Sequence, residues 1–181
     1  MASPRPLSRK VQTIDVATMM RRMDEVEVPA DRAHDFDRLF REAAPGVWRT
    51  IYAFTGGRRD IAEEAVAEAF ARALHHAPGI RDPLPWIYRT AFRIARDEMK
   101  RDARHGTEVE RGAEDPSGTG ELMHALRQLT PSQRAAIVLR FEADLPVVEV
   151  ARRMGIASPT VRVHIHRGRA RLRELLGAEE A

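Results

Sequence analysis

Val147-Val-Glu-Val-Ala-Arg-Arg-Met-Gly-Ile-Ala-Ser-Pro-Thr-Val-Arg-Val-His-Ile-His-Arg-Gly-Arg-Ala-Arg-Leu-Arg173 decides the fold of this chain. Residues 147–154 have the composition of a short helix, and Gly155 supplies the positive φ that a tight turn between two helices needs. Ser158 is the expected N-cap, with Pro159 at the first helical position, where its missing N–H costs nothing. From Thr160 to Arg173 no acidic residue intervenes. Val161, Ile165, Gly168 and Leu172 recur at helical spacing and are expected to face inward. Arg162, Val163, His166, Arg167 and Ala170 then point outward. Small Ala151 and Gly155 would let the two helices cross closely. The pattern is that of a helix-turn-helix.

A basic helix is commonly a solvated surface, and that is the plain alternative. Solvated helices usually intersperse Glu partners at i,i+4 spacing, and this one lacks them. Nucleic acid is therefore the expected partner, with Arg side chains neutralising phosphates and reaching base edges in the major groove.

Working outward, the 181 residues suffice for one ordinary domain or two small ones, and 43% hydrophobic residues support a packed core. The formal charge is only +3, so its distribution is more informative than its total. Asp24, Glu25, Glu27, Asp31, Asp35 and Asp37 make one acidic stretch; Glu108, Glu110, Glu114, Asp115 and Glu121 make another. Basic residues gather at 89–104 and 162–173. Such alternation suggests basic surfaces for DNA and acidic segments that stay away from it. The absence of cysteine excludes disulfides, thiol redox chemistry and thiolate zinc sites. No apolar stretch approaches membrane-spanning length. Met1 to Lys10 has no apolar core of the signal-peptide type, so a cytoplasmic protein is expected.

Four segments emerge. Residues 1–33 form an N-terminal extension with an apolar-spaced patch (Ile14, Val16, Met19, Met20, Met23), too short to bury a core alone; it is either disordered or docked on something. Residues 34–103 form a first helical unit. Phe36, Leu39 and Phe40 share a face before Pro45 and Gly46 interrupt; Val47, Trp48, Ile51, Tyr52 and Phe54 continue to Gly56-Gly57. Asp60 is the expected cap of a helix with Ile61, Ala65, Val66, Ala69, Phe70, Ala73 and Leu74 as its buried stripe. Glu63, Glu64, Ala67, Glu68, Ala71 and Arg72 would lie on its open side. Residues 75–85, with Pro78, Gly79, Pro83 and Pro85, read as a shaped loop. A long helix follows from about Leu84, with Trp86, Ile87, Ala91, Ile94, Ala95 and Met99 inward and Arg89, Arg93, Arg96, Lys100 and Arg101 on other faces.

Residues 104–120 lose apolar character and read as an acidic, flexible tether. Residues 121–177 form the second helical unit. Leu122, Met123, Leu126 and Leu129 are its first stripe, Thr130 and Gln133 make a capping box, and Ile137, Val138, Leu139 and Phe141 are core. No strand-like alternation occurs. The expected class is all-α: two small helical domains joined by a flexible linker, the C-terminal one a helix-turn-helix.

Over roughly residues 34–176 these pieces resemble the extracytoplasmic function sigma factors, the two-domain promoter-specificity subunits of bacterial RNA polymerase. Leu126-Arg-Gln-Leu-Thr-Pro-Ser-Gln-Arg134 is similar to the "L-x-x-L-P-x-x-x-R" opening of the family's fourth region, with Thr130 in place of the first Pro. Val148 to Ala151, Met154 to Ile156 and Thr160 to Leu172 resemble its helix-turn-helix. Trp86-Ile-Tyr-Arg-Thr-Ala91 resembles the "W-L-Y-R-I-A" start of the helix that melts promoter DNA. Helix-turn-helix proteins in general do not carry that motif.

The resemblance implies roles. Glu64, Glu68 and Arg72 would dock on the clamp coiled coil of the polymerase's largest subunit, and the second unit would meet the flap. Trp86, Arg89, Arg93, Arg96 and Lys100 would face the −10 element. The loop from His75 to Pro83, with His76 among its contacts, would cradle a base flipped from the non-template strand. Ser158, Thr160, Arg162, Val163, His166 and Arg167 would read the −35 element. The acidic tether would thread the polymerase, and an anti-sigma factor is a further implied partner. Chemistry would belong to the polymerase, so the chain is expected to be neither an enzyme nor a cofactor binder.

Departures from the family pattern include Ala67 where Gln is usual, Glu64 where Asp is frequent, Arg93 where Asn is common, and Pro159 for Gly. The pairs His75/His76 and His164/His166 diverge on a helix and favour no metal site. Scattered Glu, His and Ser form no nucleophile–base grouping. Two alternatives stand beside the sigma factor: a stand-alone helix-turn-helix regulator, which Trp86-Ile-Tyr-Arg89 and the tether argue against, and a sigma mimic that titrates a partner, which would not need Arg162 and Arg167.

Overall fold

The computed structural model describes residues 30–76, 80–105 and 119–177, with side chains described from Phe36 onward in the first segment. The N-terminal patch at Ile14 to Met23, the acidic tether from 106 to 118 and loop residues 77–79 lie outside the described residues. Among the described residues, seven α-helices and one π-helical turn follow in order: α1 (Ala30–Phe54), α2 (Arg59–His75), α3 (Pro83–His105), α4 (Thr119–Arg127), α5 (Pro131–Ile137), the π turn (Val138–Glu142), α6 (Val147–Met154) and α7 (Ser158–Leu175). No strand occurs among the described residues.

The first unit is a three-helix arrangement of α1, α2 and α3. Phe36 and Phe40 meet the edge of Phe70 at centroid distances of 6.1 and 4.9 Å, the T-shaped geometry that ring quadrupoles favour. Helix α1 runs unbroken through Pro45 and Gly46, where the sequence suggested an interruption. Phe40, Ala44, Val47, Trp48 and Ile51 are buried on both sides of the proline, so continuous packing outweighs the hydrogen bond proline cannot donate.

Helix α2 starts two residues earlier than expected. Arg58, not Asp60, is its N-cap, without a side-chain cap bond, and Asp60 lies in the first turn. Ala67 is buried, not on the open side. The reason is that α2 packs against both α1 and α3, so its buried arc is wider than one stripe. Five of its six alanines, at 62, 65, 67, 69 and 73, are buried, leaving room for helices on two sides.

The capping box of the second unit forms as read: Thr130 Oγ1 accepts from Gln133 N–H, and Gln133 Oε1 accepts from Thr130 N–H. Ile137, Val138 and Leu139 are core, whereas Phe141 is exposed. The wider turn at Val138–Glu142 rotates the following side chains off the α-helical register. Phe141 instead lies beneath the guanidinium groups of Arg140 and Arg169, at 5.5 and 5.9 Å.

The two units do not stand apart. One contiguous core includes Phe54, Ile87 and Tyr88 from the first unit and Leu126, Leu139, Val150 and Val161 from the second. Arg134 is a buried bolt at the seam. Its Nη1 donates to Phe54 O at 2.9 Å, and its Nη2 donates to Arg127 O and Leu129 O at 2.9 and 3.1 Å. Burial, with Arg127 nearby, pulls the Arg134 pKa down to about 10.

Candidate nucleic-acid interface

Helix α6 ends at Gly155, whose φ of 69° is the left-handed cap the turn was read to need. Ile156 N–H donates to Ala151 O, closing the turn. Helix α7 then opens with Ala157 as N-cap and Ser158 as its first residue; no side chain caps it. The expected Ser158 cap is thus displaced by one position, with Pro159 still in the first turn, where no N–H is required of it.

Val161 and Gly168 are buried on α7, and Ile165 and Leu172 pack against the core. Gly168 marks the closest approach: a Cβ there would lie 2.9 Å from Ile137 Cγ1 on α5. The tight crossing is therefore made by Gly168 against α5. Gly155 instead faces the other unit, where its absent Cβ leaves room for Arg89.

The opposite side of α7 is open. Thr160, Arg162, Val163, His166 and Arg167 are all exposed, with Ser158 half-buried beside them. Val163 is 45% exposed, an apolar side chain with no partner element among four polar neighbours. Such a face offers hydrogen-bond donors for base edges and phosphates, plus one apolar contact suited to a thymine methyl.

A second cationic stripe runs along α3. Arg89, Arg93, Arg96 and Lys100 are exposed at spacings of four, three and four, which aligns them on one helix face. Trp86 is half-buried at the head of the stripe, and His76 at the end of α2 meets its ring edge-on at 6.3 Å. Trp86, Arg89, Ile80, Arg81, Asp82, Pro85 and Arg152 line an open cleft of about 320 Å³. Arg152 belongs to α6, so this cleft is shared by both units.

A clamp at the far end of α3 holds the stripe in place. Arg58 Nη2 reaches Asp60 at 2.5 Å and Asp102 at 2.7 Å, fastening the start of α2 to the last turns of α3. The hydrogen bond to Asp60, opposed by partial burial, raises the guanidinium pKa and holds the Asp60 carboxyl below the usual range.

On α2, Glu64 and Arg72 are exposed and Glu68 is half-buried; Arg72 Nε pairs with Glu68 Oε1 at 2.6 Å. These three residues, spaced four apart, share one outer strip of the helix. Among the described residues, no group of three His, Asp or Glu side chains converges as a metal would require.

Sequence reasoning missed the residues that join the units. Arg153 is buried with its guanidinium 4.5 Å from the centre of the Tyr88 ring, and its Nε donates to Glu149 at 3.2 Å. Arg152 pairs with Asp82 across the seam. Arg127 donates to Gly56 O at 3.1 Å, and Arg49 faces Glu142 at 3.6 Å. A buried arginine has the same local sequence context as an exposed one, so only Arg134 could be singled out, through the spacing of its motif.

Comparison with known proteins bears on both helical units. Residues 39–105 match the family model described as Sigma-70 region 2, and residues 119–172 match that described as Sigma-70, region 4. The chain is 31% identical over 160 residues to the ECF RNA polymerase sigma factor SigE of Mycolicibacterium smegmatis, and 31% identical over 159 residues to BldN of Streptomyces coelicolor. Each match takes in 78% of this chain but only 61% and 59% of those proteins, about six-tenths of their length. It is also 31% identical over 166 residues to the RNA polymerase sigma factor CarQ of Myxococcus xanthus, covering 83% of this chain and 94% of CarQ. In fold it resembles RpoE of Bartonella quintana, solved with the anti-sigma factor NepR (TM-score 0.67, 22% identity, 81% of this chain and 99% of that one). CnrH, solved with the cytosolic domain of CnrY, is similar too (TM-score 0.64, 21% identity, 92% and 99%). Two region models in the expected order, each carrying one of the two basic faces, and a match spanning nearly all of CarQ show that this chain belongs to the extracytoplasmic function sigma factors of the sigma-70 family.

Proposed function

We propose that this chain binds bacterial core RNA polymerase, recognises a promoter through two separate faces, helps to melt it and so initiates transcription. The carrying observation is that each matched region presents its own exposed basic helix face: Arg89, Arg93, Arg96 and Lys100 on α3, and Arg162, His166 and Arg167 on α7. A single duplex reader needs one such face. Two faces of different make-up suit two targets, and the aromatic Trp86 at the head of the α3 stripe suits unstacked bases.

In this reading α7 lies in the major groove of the −35 element, with Ser158, Thr160, Arg162, Val163, His166 and Arg167 as its contacts. The −10 element meets His76, Trp86, Arg89, Arg93, Arg96 and Lys100. Extruding a base costs a few kcal/mol, which cationic and aromatic capture of the single strand offsets. Glu64, Glu68 and Arg72 dock on the clamp coiled coil of the polymerase, and the second unit meets the flap. Phosphodiester chemistry stays with the polymerase, and this chain supplies position and strand capture. Because RpoE and CnrH were solved with NepR and CnrY, an anti-sigma partner is proposed here as well. No helix among the described residues is long and apolar enough to cross a membrane, and the proposed site of action is the cytoplasm, where the polymerase works.

Run-off transcription with purified core polymerase on genomic fragments, including the region upstream of this gene, tests the proposal. Discrete transcripts that require the protein are expected. Silence together with specific duplex binding by the protein alone would replace it with a stand-alone regulator.

A further inference from the structure

Resting on the reading of α7 as the −35 contact helix, we propose that Val163 selects a pyrimidine by its C5-methyl group. One position of the element then holds a thymine, and 5-methylcytosine makes the same contact there where cytosine makes none.

Three large apolar side chains are exposed among the described residues: Phe141, Val148 and Val163. Phe141 lies beneath the guanidinium groups of Arg140 and Arg169. Val148 stands on α6, next to Glu149 in sequence and on neither cationic face. Val163 alone is bare in the middle of one. At about 100° per residue it lies about 200° round α7 from buried Val161, nearly opposite the packed side. Arg162 and His166 fall on one flank of it, Thr160 and Arg167 on the other, and all four are exposed. Residues 160–173 include no acid to neutralise those cations. Helix propensity does not account for the valine, since β-branching makes it a poorer helix former than Ala, Arg or Gln. A partner with an apolar group to offer does account for it.

The reach of the side chain narrows what that group is. Valine methyls stand one bond beyond Cβ, whereas the guanidinium groups on either flank extend several bonds further. Val163 therefore meets DNA only where the helix comes closest to the groove floor. Crowding by the preceding turn holds its χ1 in one rotamer, so the methyls are in place before DNA arrives. Base edges in the major groove present donors and acceptors, with one apolar exception, the C5-methyl of thymine. Valine set against guanine O6 or the cytosine amino group would strip that atom of water and leave it unpaired. Set against a C5-methyl, it buries apolar surface on both partners. Methylated cytosine carries the same group on the same ring carbon, so ring methylation is what Val163 detects. A protein interface needs a wider apolar centre than one valine ringed by cations.

The test changes single methyl groups in DNA. Core polymerase carrying the full chain is bound to the promoter recovered by run-off transcription, and each thymine of the −35 element is replaced in turn by deoxyuridine. Competition should show binding weakened about fourfold at one position, the factor that burying one methyl group supplies, and unchanged at the others. With a G·C pair at that position, 5-methylcytosine should exceed cytosine by a similar factor. Val163→Ala, at an exposed site outside the core, should bring both ratios close to one, while Val148→Ala should leave them as in the parent chain. The proposal is overturned if no thymine responds to loss of its methyl, if cytosine methylation has no effect at the responding position, or if the response survives Val163→Ala. Weaker −35 binding by Arg162→Ala without any methyl response would sink the role of Val163 and leave the proposed function standing. Indifference of the polymerase complex to every base change in the −35 element would sink both.

Discussion

Arg134 shows how much one buried cation can carry. Three carbonyl oxygens from two units satisfy two of its nitrogens, and its lowered pKa of about 10 still leaves it charged at neutral pH. Arg134→Ala leaves those carbonyls unpaired and should cost on the order of 3 kcal/mol in urea denaturation. Arg134→Lys should recover only part, because an ammonium lacks the planar fork that reaches Phe54 O and Leu129 O together. Glu142, facing Arg49 across the seam, gives a pH dependence of opposite kind. Burial raises its carboxyl pKa, and Arg49 only partly opposes this. The folded state therefore favours the protonated form: that stabilisation is full below the ordinary glutamate range and is lost as pH rises through the raised pKa. Glu142→Gln should raise Tm by about 2 °C at neutral pH, with the advantage vanishing near pH 4. A gain that grew on acidification would contradict the sign. On α7, Arg162→Ala or Arg167→Ala should cost roughly 1–3 kcal/mol on the cognate −35 duplex and less on unrelated DNA, measured by competition. Equal loss on every sequence would make them phosphate contacts.

At the scale of elements, packing sorts what was legible from what was not. The inward side of α7 was legible because Val161, Ile165, Gly168 and Leu172 recur at helical spacing, with Arg162, Val163, His166 and Arg167 exposed opposite them and only Ala170 half-buried against expectation; amphipathic spacing needs no tertiary information. The Thr130 capping box was equally legible, being local in sequence. Local rules failed where a second neighbour intervened. Pro45 sits inside α1 because core residues flank it, and Ala67 is buried because α2 is covered from two sides. Phe141 left the core when the π turn changed the register, which no periodicity of 3.6 anticipates. The candidate site was readable in the same measure. Its cations were found from spacing, but the closeness of Trp86 and Arg89 to α6 depends on how the units dock. Gly168 gives the element-scale test. Gly168→Ala gains about 1 kcal/mol of helix propensity but drives a methyl against Ile137, which costs about 1–3 kcal/mol. A net loss on the order of 1 kcal/mol in chemical denaturation is expected, with α7's exposed face unchanged. A stabilised variant would mean that Ile137 yields freely.

For the whole molecule, the shared core raises the question of whether two regions melt as two bodies or one. Phe54, Ile87 and Tyr88 contact the same cluster as Leu126, Leu139 and Val150, so separating the units exposes apolar surface on both. Apolar exposure raises the free energy of every partly opened state, and this couples the two melting equilibria. The polar bolts act in the same direction, since pulling Arg134 from Phe54 O uncovers a buried carbonyl. The exposed Arg152–Asp82 pair adds little by itself, because water screens it. Calorimetry on the free chain should therefore show one transition, with van't Hoff and calorimetric enthalpies in agreement. Arg127→Glu/Arg152→Glu, which repels Asp82 and removes the donor to Gly56 O, should lower the coupling and split the transition in two. The order of the split follows from size: the second unit has a smaller core of its own and should melt first. Two resolved transitions in the wild-type chain would mean that the seam, though packed, contributes too little to hold the units together.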